Sequence, residues 1–280
     1  MIDENNDELK IGELPRLQII DIEQIVFHEE PDIERVARLV EKLGADGVLK
    51  NPPVVARYGD SARCILLDGA NRVTALRKLD FQHVLVQEID LEDPGLILAT
   101  WHHAIEHLTR ETLLGFAAAV SGVRLADTDV VADDPGYLCR LRFADQSEVA
   151  LVGSSDLFEK VSQLKSFVGS YHRFEYMDRV SYTNLEHLKR NYRGFSALVS
   201  FPRFRREDLL AITRAGLLLP SGVTRVLLPK RALRFNLHLD ILRAKLSVEE
   251  KNLWLRDTIQ QKIQDKCIRF YREPTFFFDE

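Results

Sequence analysis

Several stretches of this chain carry side chains whose types and spacing could do chemistry. The sharpest is Leu66-Leu67-Asp68-Gly69-Ala70-Asn71-Arg72. An apolar strand stops, Gly69 turns the chain, and a helix begins. The first N–H groups of a helix have no partner within it and sit at the positive end of its dipole, so this turn is a ready phosphate cradle. Gly69 lets a phosphate approach the backbone closely, and Arg72 can add a charged fork. Asn71 can donate a hydrogen bond to phosphate but carries no charge. Asp68 has two readings: it holds Mg2+ beside the phosphates, or it supports the turn by accepting backbone N–H bonds. Taken alone, Gly-x-x-Arg is a weak signal, because strand–Gly–helix turns are common.

Other chemistry-bearing residues are scattered. Glu29 and Glu30 precede Pro31 and a helical pattern, where a carboxylate either faces a cleft as a base or simply favours the helix dipole as a solvated acid. Trp101, His102 and His103 cluster, with His107 four residues after His103. That spacing would suit zinc on a helix face, but H-E-x-x-H is absent and Glu106 is misplaced for it. Pro220-Ser221-Gly222-Val223-Thr224-Arg225 sets a guanidinium beside a glycine, a pairing suited to a carboxylate. The runs Arg203-Phe204-Arg205-Arg206 and Lys230-Arg231 read as solvated basic loops; Phe201 and Phe204 beside the first are what a nucleic-acid contact would use.

These residues need a scaffold, and the composition supplies one. The chain has 280 residues, 45% hydrophobic and 29% charged, with a net charge of −5. That suits one large or two small globular units and excludes collagen, coiled coil and wholesale disorder. A dedicated nucleic-acid binder shows a basic face, so nucleic acid is not the expected partner. No run of 18 apolar residues occurs, so no membrane span is expected. The three cysteines, Cys64, Cys139 and Cys267, are far apart, which argues against a disulfide framework and fits a reduced cytoplasm. Cys64 and Cys139 read as core residues.

Along the chain, residues 1–14 form an acidic leader. Residues 15–92 alternate short strands with helices: a strand-like run from Leu17 to Val26, a helix from Pro31 to Leu43 closed by Gly44, strands at Pro52–Ala56 and Cys64–Leu67, a helix from Arg72 to Leu79, and a strand at His83–Ile89. Residues 93–280 read as a second, mixed α+β unit. A helix is expected at Glu111–Val120, then an antiparallel meander of Val123–Val131, Tyr137–Phe143 and Glu148–Val152. Helices follow over 155–178, 183–193 and Arg206–Ala215, and strands at Val223–Leu228 and Leu233–Leu237. Ser247-Val248-Glu249-Glu250 fits a capping box for a last helix. The fold class is therefore α/β, more broadly α+β, with a ligand cleft expected between the units. The tail Phe276-Phe277-Phe278 is expected to dock on its own body or on a partner subunit, and a homodimer is one assembly that would cover it.

The pattern of residues 15–90 resembles the ParB/sulfiredoxin-type domain, in which a Gly-x-x-Arg turn at a helix start binds nucleotide phosphates. The whole chain resembles a narrower group, the free L-serine kinases. The matching pieces run in order: Phe27-His28-Glu29, Asp68-Gly69-x-x-Arg72, Val84-x-Val86-Gln87-Glu88-Ile89, Ala99-Thr100-Trp101-x-His103 and Pro220–Arg225. The last two lie beyond the ParB-like region. The resemblance implies transfer of the terminal phosphoryl group of ATP or ADP to the hydroxyl of L-serine, with Mg2+. It places the general base at Glu29, phosphate contacts at Asp68, Gly69, Ala70, Asn71 and Arg72, and serine contacts at Trp101, His103, Thr224 and Arg225. The third turn position, often His in these kinases, is Asn71 here. One member serves siderophore biosynthesis, where phosphoserine feeds 2,3-diaminopropionate. The alternative is a ParB-like, DNA-associated regulator without kinase activity, which would need a helix-turn-helix and a basic recognition face.

Overall fold

The computed structural model describes residues 14–57, 62–128, 134–172 and 177–271. Residues 1–13 of the acidic leader and the Phe276–Phe278 tail lie outside them.

The first part of the chain builds β1 (Arg16–Asp21), β2 (Ile25–Phe27), α1 (Ile33–Asp46), β3 (Val48–Leu49), β4 (Val54–Arg57), β5 (Cys64–Asp68), α2 (Ala70–Lys78) and β6 (His83–Ile89). Five of these strands form a mixed sheet in the order β1-β6-β4-β5-β2. Both its faces are covered, and the period-2 rule sorts its side chains. Cys64 and Leu66 of β5 point into one core with Val36, Val73 and Leu76. Ile65 and Leu67 point into the other, shared with the rest of the chain. The expected stop of α1 at Gly44 does not occur. The helix runs on to Asp46, and Gly47 takes the left-handed conformation (φ 62°), its N–H closing on the Leu43 carbonyl at 3.0 Å.

The second part builds β7 (Ile97–Thr100), β8 (His102–Glu106), α3 (Arg110–Ala118), β9 (Arg124–Ala126), β10 (Tyr137–Phe143), β11 (Glu148–Val152), α4 (Leu157–His172), β12 (Met177–Val180), α5 (Leu185–Asn191), β13 (Phe195–Ser200), α6 (Arg206–Arg214), β14 (Thr224–Leu227), β15 (Leu237–His238), α7 (Leu239–Arg243) and α8 (Val248–Gln264). Six strands form an antiparallel sheet, β12-β8-β13-β10-β11-β9; β14 pairs with β7, and β15 with β3. The meander is not a simple one, because β9 crosses to pair with β11 rather than β10. The expected helix over 155–178 ends at His172, and Met177–Val180 becomes an edge strand beside β8. β13 is central and was not expected; its short apolar run fits a buried strand or a helix equally well. Over 233–237, only Leu237 enters a strand.

The last elements return to the first sheet. Leu239, Leu242 and Leu255 join its core. Asn252 of α8 grips β1 by both backbone groups of Ile19: the Ile19 N–H donates to Asn252 Oδ1 at 2.9 Å, and Asn252 Nδ2 donates to the Ile19 carbonyl at 2.7 Å. The sheet that carries the phosphate-type turn is thus built from residues 16–89 and covered on one face by the last described helices. The architecture is mixed α+β. Cys64 and Cys139 are buried in the cores as expected.

Candidate active site

Register decides where the chemistry collects. β2 and β5 are parallel neighbours with Phe27 opposite Leu66, so the segments that follow them leave the sheet at one edge. The carboxyl ends of parallel strands are where such sheets hold ligands. One further parallel bridge, Glu29 with Leu219, draws 219–224 alongside. There the Leu219 N–H donates to the His28 carbonyl at 2.8 Å and the Glu30 N–H to the Leu219 carbonyl at 2.9 Å. A cavity of about 1100 Å3 opens along this edge, lined by both segments and by α1.

One end of the cavity is the turn after β5. Gly69 has φ 102°, and a Cβ there would press on Pro53 at 3.0 Å, so the position requires glycine. No side chain caps α2, and its first internal bond runs from the Val73 N–H to the Gly69 carbonyl at 3.0 Å. The N–H groups of Ala70, Asn71 and Arg72 therefore have no partner within the helix. Arg72 is anchored, donating to the carbonyls of Asn51 (2.6 Å) and Pro52 (3.2 Å) and to Asp68 Oδ2 (2.8 Å). Arg231, expected to be a solvated loop residue, reaches the same oxygen at 2.7 Å. Desolvation raises the Asp68 pKa, but the two guanidiniums outweigh it and hold it below the usual carboxylate range. Burial lowers Arg231 to about 10 against the pull of Asp68. Asn71 faces the neighbouring loop: its Oδ1 accepts the Asp32 N–H at 2.8 Å, tying the turn to the segment that carries Glu29. Arg35, Arg38 and Lys42 of α1, with Lys50 and Arg234, add positive charge to the wall.

Asp68 does not fit a resident Mg2+. Its Oδ2 is shared by two guanidiniums, which already neutralise its charge. Of the two sequence readings, turn support matches its contacts with Arg72 and the Gly69 backbone.

The other end is built around Glu29. Its Oε1 accepts the Gly222 N–H at 2.7 Å, and its Oε2 accepts the Thr224 N–H at 2.9 Å and the Thr224 hydroxyl. Glu30 instead pairs with Lys165 of α4 at 2.5 Å. Gly222 has φ 81°, and a Cβ there would overlap the Arg179 guanidinium, so this position also requires glycine. Arg179 lines the cavity, with Nη2 donating to Ser221 Oγ at 2.9 Å and lying 3.7 Å from Asp32; burial lowers its pKa.

The two segments expected to bind serine are paired with each other. Thr224 lies opposite Thr100 and Arg225 opposite Ala99, and the Trp101 N–H donates to the Val223 carbonyl at 3.0 Å. Trp101 and Thr224 line the cavity, whereas His103 and Arg225 stand behind its wall. His103 is fully buried in a strand, between the Tyr171 hydroxyl at 2.8 Å and the Gly222 carbonyl at 2.9 Å. Burial lowers its pKa to about 3, so it is a neutral brace for Gly222. The Arg225 guanidinium lies over the Trp101 ring, 4.5 Å from its centroid, a cation–π contact that supports the indole. His102–Glu106 is a strand, so His103 and His107 share no helix face. Phe201 and Phe204 are core residues, which removes them as stacking platforms.

Sequence reasoning missed Arg179 and Arg231, and gave His28 no role although it sits inside a matched motif. The local signal for Arg231 was its place in the basic pair after Pro229.

No known family profile matches the chain. It is 23% identical over 273 residues to the ATP-dependent L-serine kinase SbnI of Staphylococcus aureus, spanning 94% of this chain and 97% of that protein. An ATP-dependent L-serine kinase of Staphylothermus marinus is 31% identical over 87 residues, 31% of this chain and 34% of the relative. The structure of C-terminally truncated SbnI superposes with a TM-score of 0.70 at 22% identity, covering 90% of this chain and 97% of that one. A free serine kinase with a Glu-to-Ala substitution, in complex with ADP, superposes with a TM-score of 0.69 at 15% identity, covering 82% and 95%. The chain therefore shares the fold of solved serine kinases along most of its length.

Proposed function

We propose that this protein is a free L-serine kinase, transferring the terminal phosphoryl group of a nucleotide to the hydroxyl of L-serine to give O-phospho-L-serine. The observation that carries the reading is one cavity with a phosphate-type helix N-terminus at one end and, at the other, a carboxylate fixed by two backbone N–H groups. Phosphoryl transfer is largely positioning and charge neutralisation, with one carboxylate accepting the hydroxyl proton. Glu29 is the proposed base. The N–H groups of Ala70, Asn71 and Arg72 take the phosphates, flanked by Arg231 and the α1 cations.

Serine lies against Trp101. Its carboxylate faces Arg179, the cavity-lining cation next to Ser221, rather than Arg225, which is spent on the indole. Both curated relatives are named ATP-dependent, which supports ATP over ADP as the donor. Mg2+ enters as the nucleotide's own counter-ion, since Asp68 is already neutralised. Residues 15–92, together with 237–264, form the proposed nucleotide-binding unit of ParB/sulfiredoxin type, in a cytoplasmic setting. A reaction using phosphate as leaving group, as in 2,3-diaminopropionate and siderophore biosynthesis, is the proposed consumer of the product.

The test is phosphoserine formation from L-serine, Mg2+ and either ATP or ADP, with Glu29→Gln in parallel. Product from the wild type and little from the variant supports the reading and identifies the donor. No product with either nucleotide from folded protein overturns it.

A further inference from the structure

The Glu29 end of the cavity contains a hydrogen-bond chain that does not stop at the carboxylate. His28 is buried, with Nδ1 2.6 Å from the Leu66 carbonyl and Nε2 2.9 Å from Thr224 Oγ1. The same Thr224 oxygen contacts Glu29 Oε2. A carbonyl only accepts, so Nδ1 carries the ring proton, and Nε2 of a neutral imidazole is a lone pair. Thr224 has one hydroxyl proton and faces two acceptors. With Glu29 ionised and His28 neutral, one of its two contacts lacks a proton. Both contacts are satisfied only when the trio holds one proton more, on Glu29 or on Nε2 of His28.

We propose that Glu29, Thr224 and His28 form a proton relay that stores the proton serine gives up, with His28 as its far terminus. This rests on the kinase reading above. As the serine oxygen bonds to phosphorus and the bond from phosphorus to the leaving nucleotide oxygen breaks, the serine O–H proton passes to Glu29 Oε2. Glu29 then donates to Thr224 Oγ1 while the Thr224 hydroxyl proton moves to Nε2, leaving an imidazolium held by the Leu66 carbonyl. After the product leaves, the proton returns by the same path to the open cavity. His28 touches neither serine nor nucleotide in this scheme; it acts through Thr224.

The surroundings suit a transient store. Burial lowers the His28 pKa, opposed by the Glu29 charge and the Leu66 carbonyl, which favours the neutral ring at rest. Arg179 of β12 is the cation that acts on the Glu29 charge, and around it stand Asp32 and Arg35 at the start of α1, Asp178 of β12 and His172 at the end of α4, while Glu30 is paired with Lys165 of α4.

The test has two arms. In the first, phosphoserine formation is followed against pH for the wild type, His28→Asn, Thr224→Val, Thr224→Ser and the double variant His28→Asn/Thr224→Val. Asn can still donate to the Leu66 carbonyl. We expect kcat to fall roughly tenfold in His28→Asn and in Thr224→Val, less than the 10²–10⁴ carried by a general base itself, because Glu29 is still present. KM for serine should stay within about twofold in His28→Asn, because that residue does not contact it. The double variant should lose no more than either single one, and Thr224→Ser should keep the wild-type profile. Removing His28 leaves the stored proton one site fewer, so the acidic limb of the kcat profile should move to lower pH. An unmoved limb, or additive losses in the double variant, overturns the relay.

The second arm is nitrogen NMR of the imidazoles in the full-length protein, which needs no activity. His28 should rest as the Nδ1–H form, and Glu29→Gln should move its titration to lower pH. A His28 signal indifferent to Glu29→Gln overturns the relay even if phosphoserine forms. A coupled His28 in a wild type that makes no phosphoserine leaves the coupled trio standing and overturns the kinase reading, and with it the serine proton as its source.

Discussion

The two ends of the cavity are built on opposite plans. The end proposed for phosphate comes from five consecutive residues, Asp68 to Arg72, whose conformation is set by one strand-to-helix turn and one obligatory glycine. Its charge is redundant, since Arg72 and Arg231 share one carboxylate and further cations stand around them. The end proposed for the serine hydroxyl joins residues 193 to 195 positions apart, and Glu29 is the one carboxylate held there by two backbone N–H groups. Redundancy predicts tolerance at the first end and fragility at the second.

The sharpest break should come at Glu29. Removing a general base costs about 10²–10⁴ in rate, so Glu29→Gln should lower kcat roughly 10³-fold. The new amide also turns an N–H toward one of the backbone donors, so KM for serine should rise as well. Nucleotide affinity, read by calorimetry, should hold; if it falls as far as kcat does, the two ends are not separate.

Next is Gly222→Ala. A methyl there meets the Arg179 guanidinium at a left-handed φ, which should cost about 2 kcal/mol of stability by denaturant titration. Serine turnover should suffer more than nucleotide binding. Gly69→Ala should show the mirror image, losing nucleotide protection in a thermal-shift assay before serine KM moves.

A smaller effect is expected at Arg231. A charge-assisted contact is worth about 1.5–3 kcal/mol, and the neighbouring cations cover part of its loss. Arg231→Ala should therefore weaken nucleotide binding about tenfold and leave kcat within a few-fold. A loss as large as that of Glu29→Gln would show that the phosphate end is not redundant.

The mildest signature is in stability against pH. His103 titrates near 6.5 when unfolded and near 3 when folded. The unfolded chain thus takes up a proton as pH falls below 6.5, while the folded one does not until about 3. The stability tied to this residue is complete above 6.5 and erodes at about 1.4 kcal/mol per pH unit below it. Urea unfolding at pH 7 and pH 5 should show about 2 kcal/mol from this source, a slope that His103→Gln should flatten. An unchanged slope in that variant would mean that His103 is not the buried neutral brace.

The same contrast explains what could be read from the sequence. The strand–glycine–helix turn proposed for phosphate was legible because its geometry is local: an apolar run and a glycine suffice to place it. β6, β10 and β11 were legible to the residue because their apolar runs are bounded by turns. The hydroxyl end was legible only as separate matched segments, since nothing local in Glu29 says that it will meet Gly222. Arg231 lies 163 positions from Asp68, so no spacing rule could join them. His103 and Arg225 were placed on the serine pocket by the resemblance to the serine kinases. Burial between α4 and β13 made one a brace, and stacking on Trp101 made the other a support, and neither property is local. The α1 stop was misplaced because Gly44 is compatible with a helix, whereas only Gly47 needs a left-handed φ.

The clasp of Asn252 on Ile19 has a consequence for biogenesis. These partners are 233 residues apart, yet they close the layer that holds the phosphate turn. Chains are made from the N-terminus at about 5–20 residues per second, and contacts distant in sequence form late. The first strand on the ribosome must therefore wait with a bare flank until residue 264 has emerged. A translational pause after α2 would lengthen the life of a half-covered sheet, and holdase chaperones would meet the nascent protein at β1.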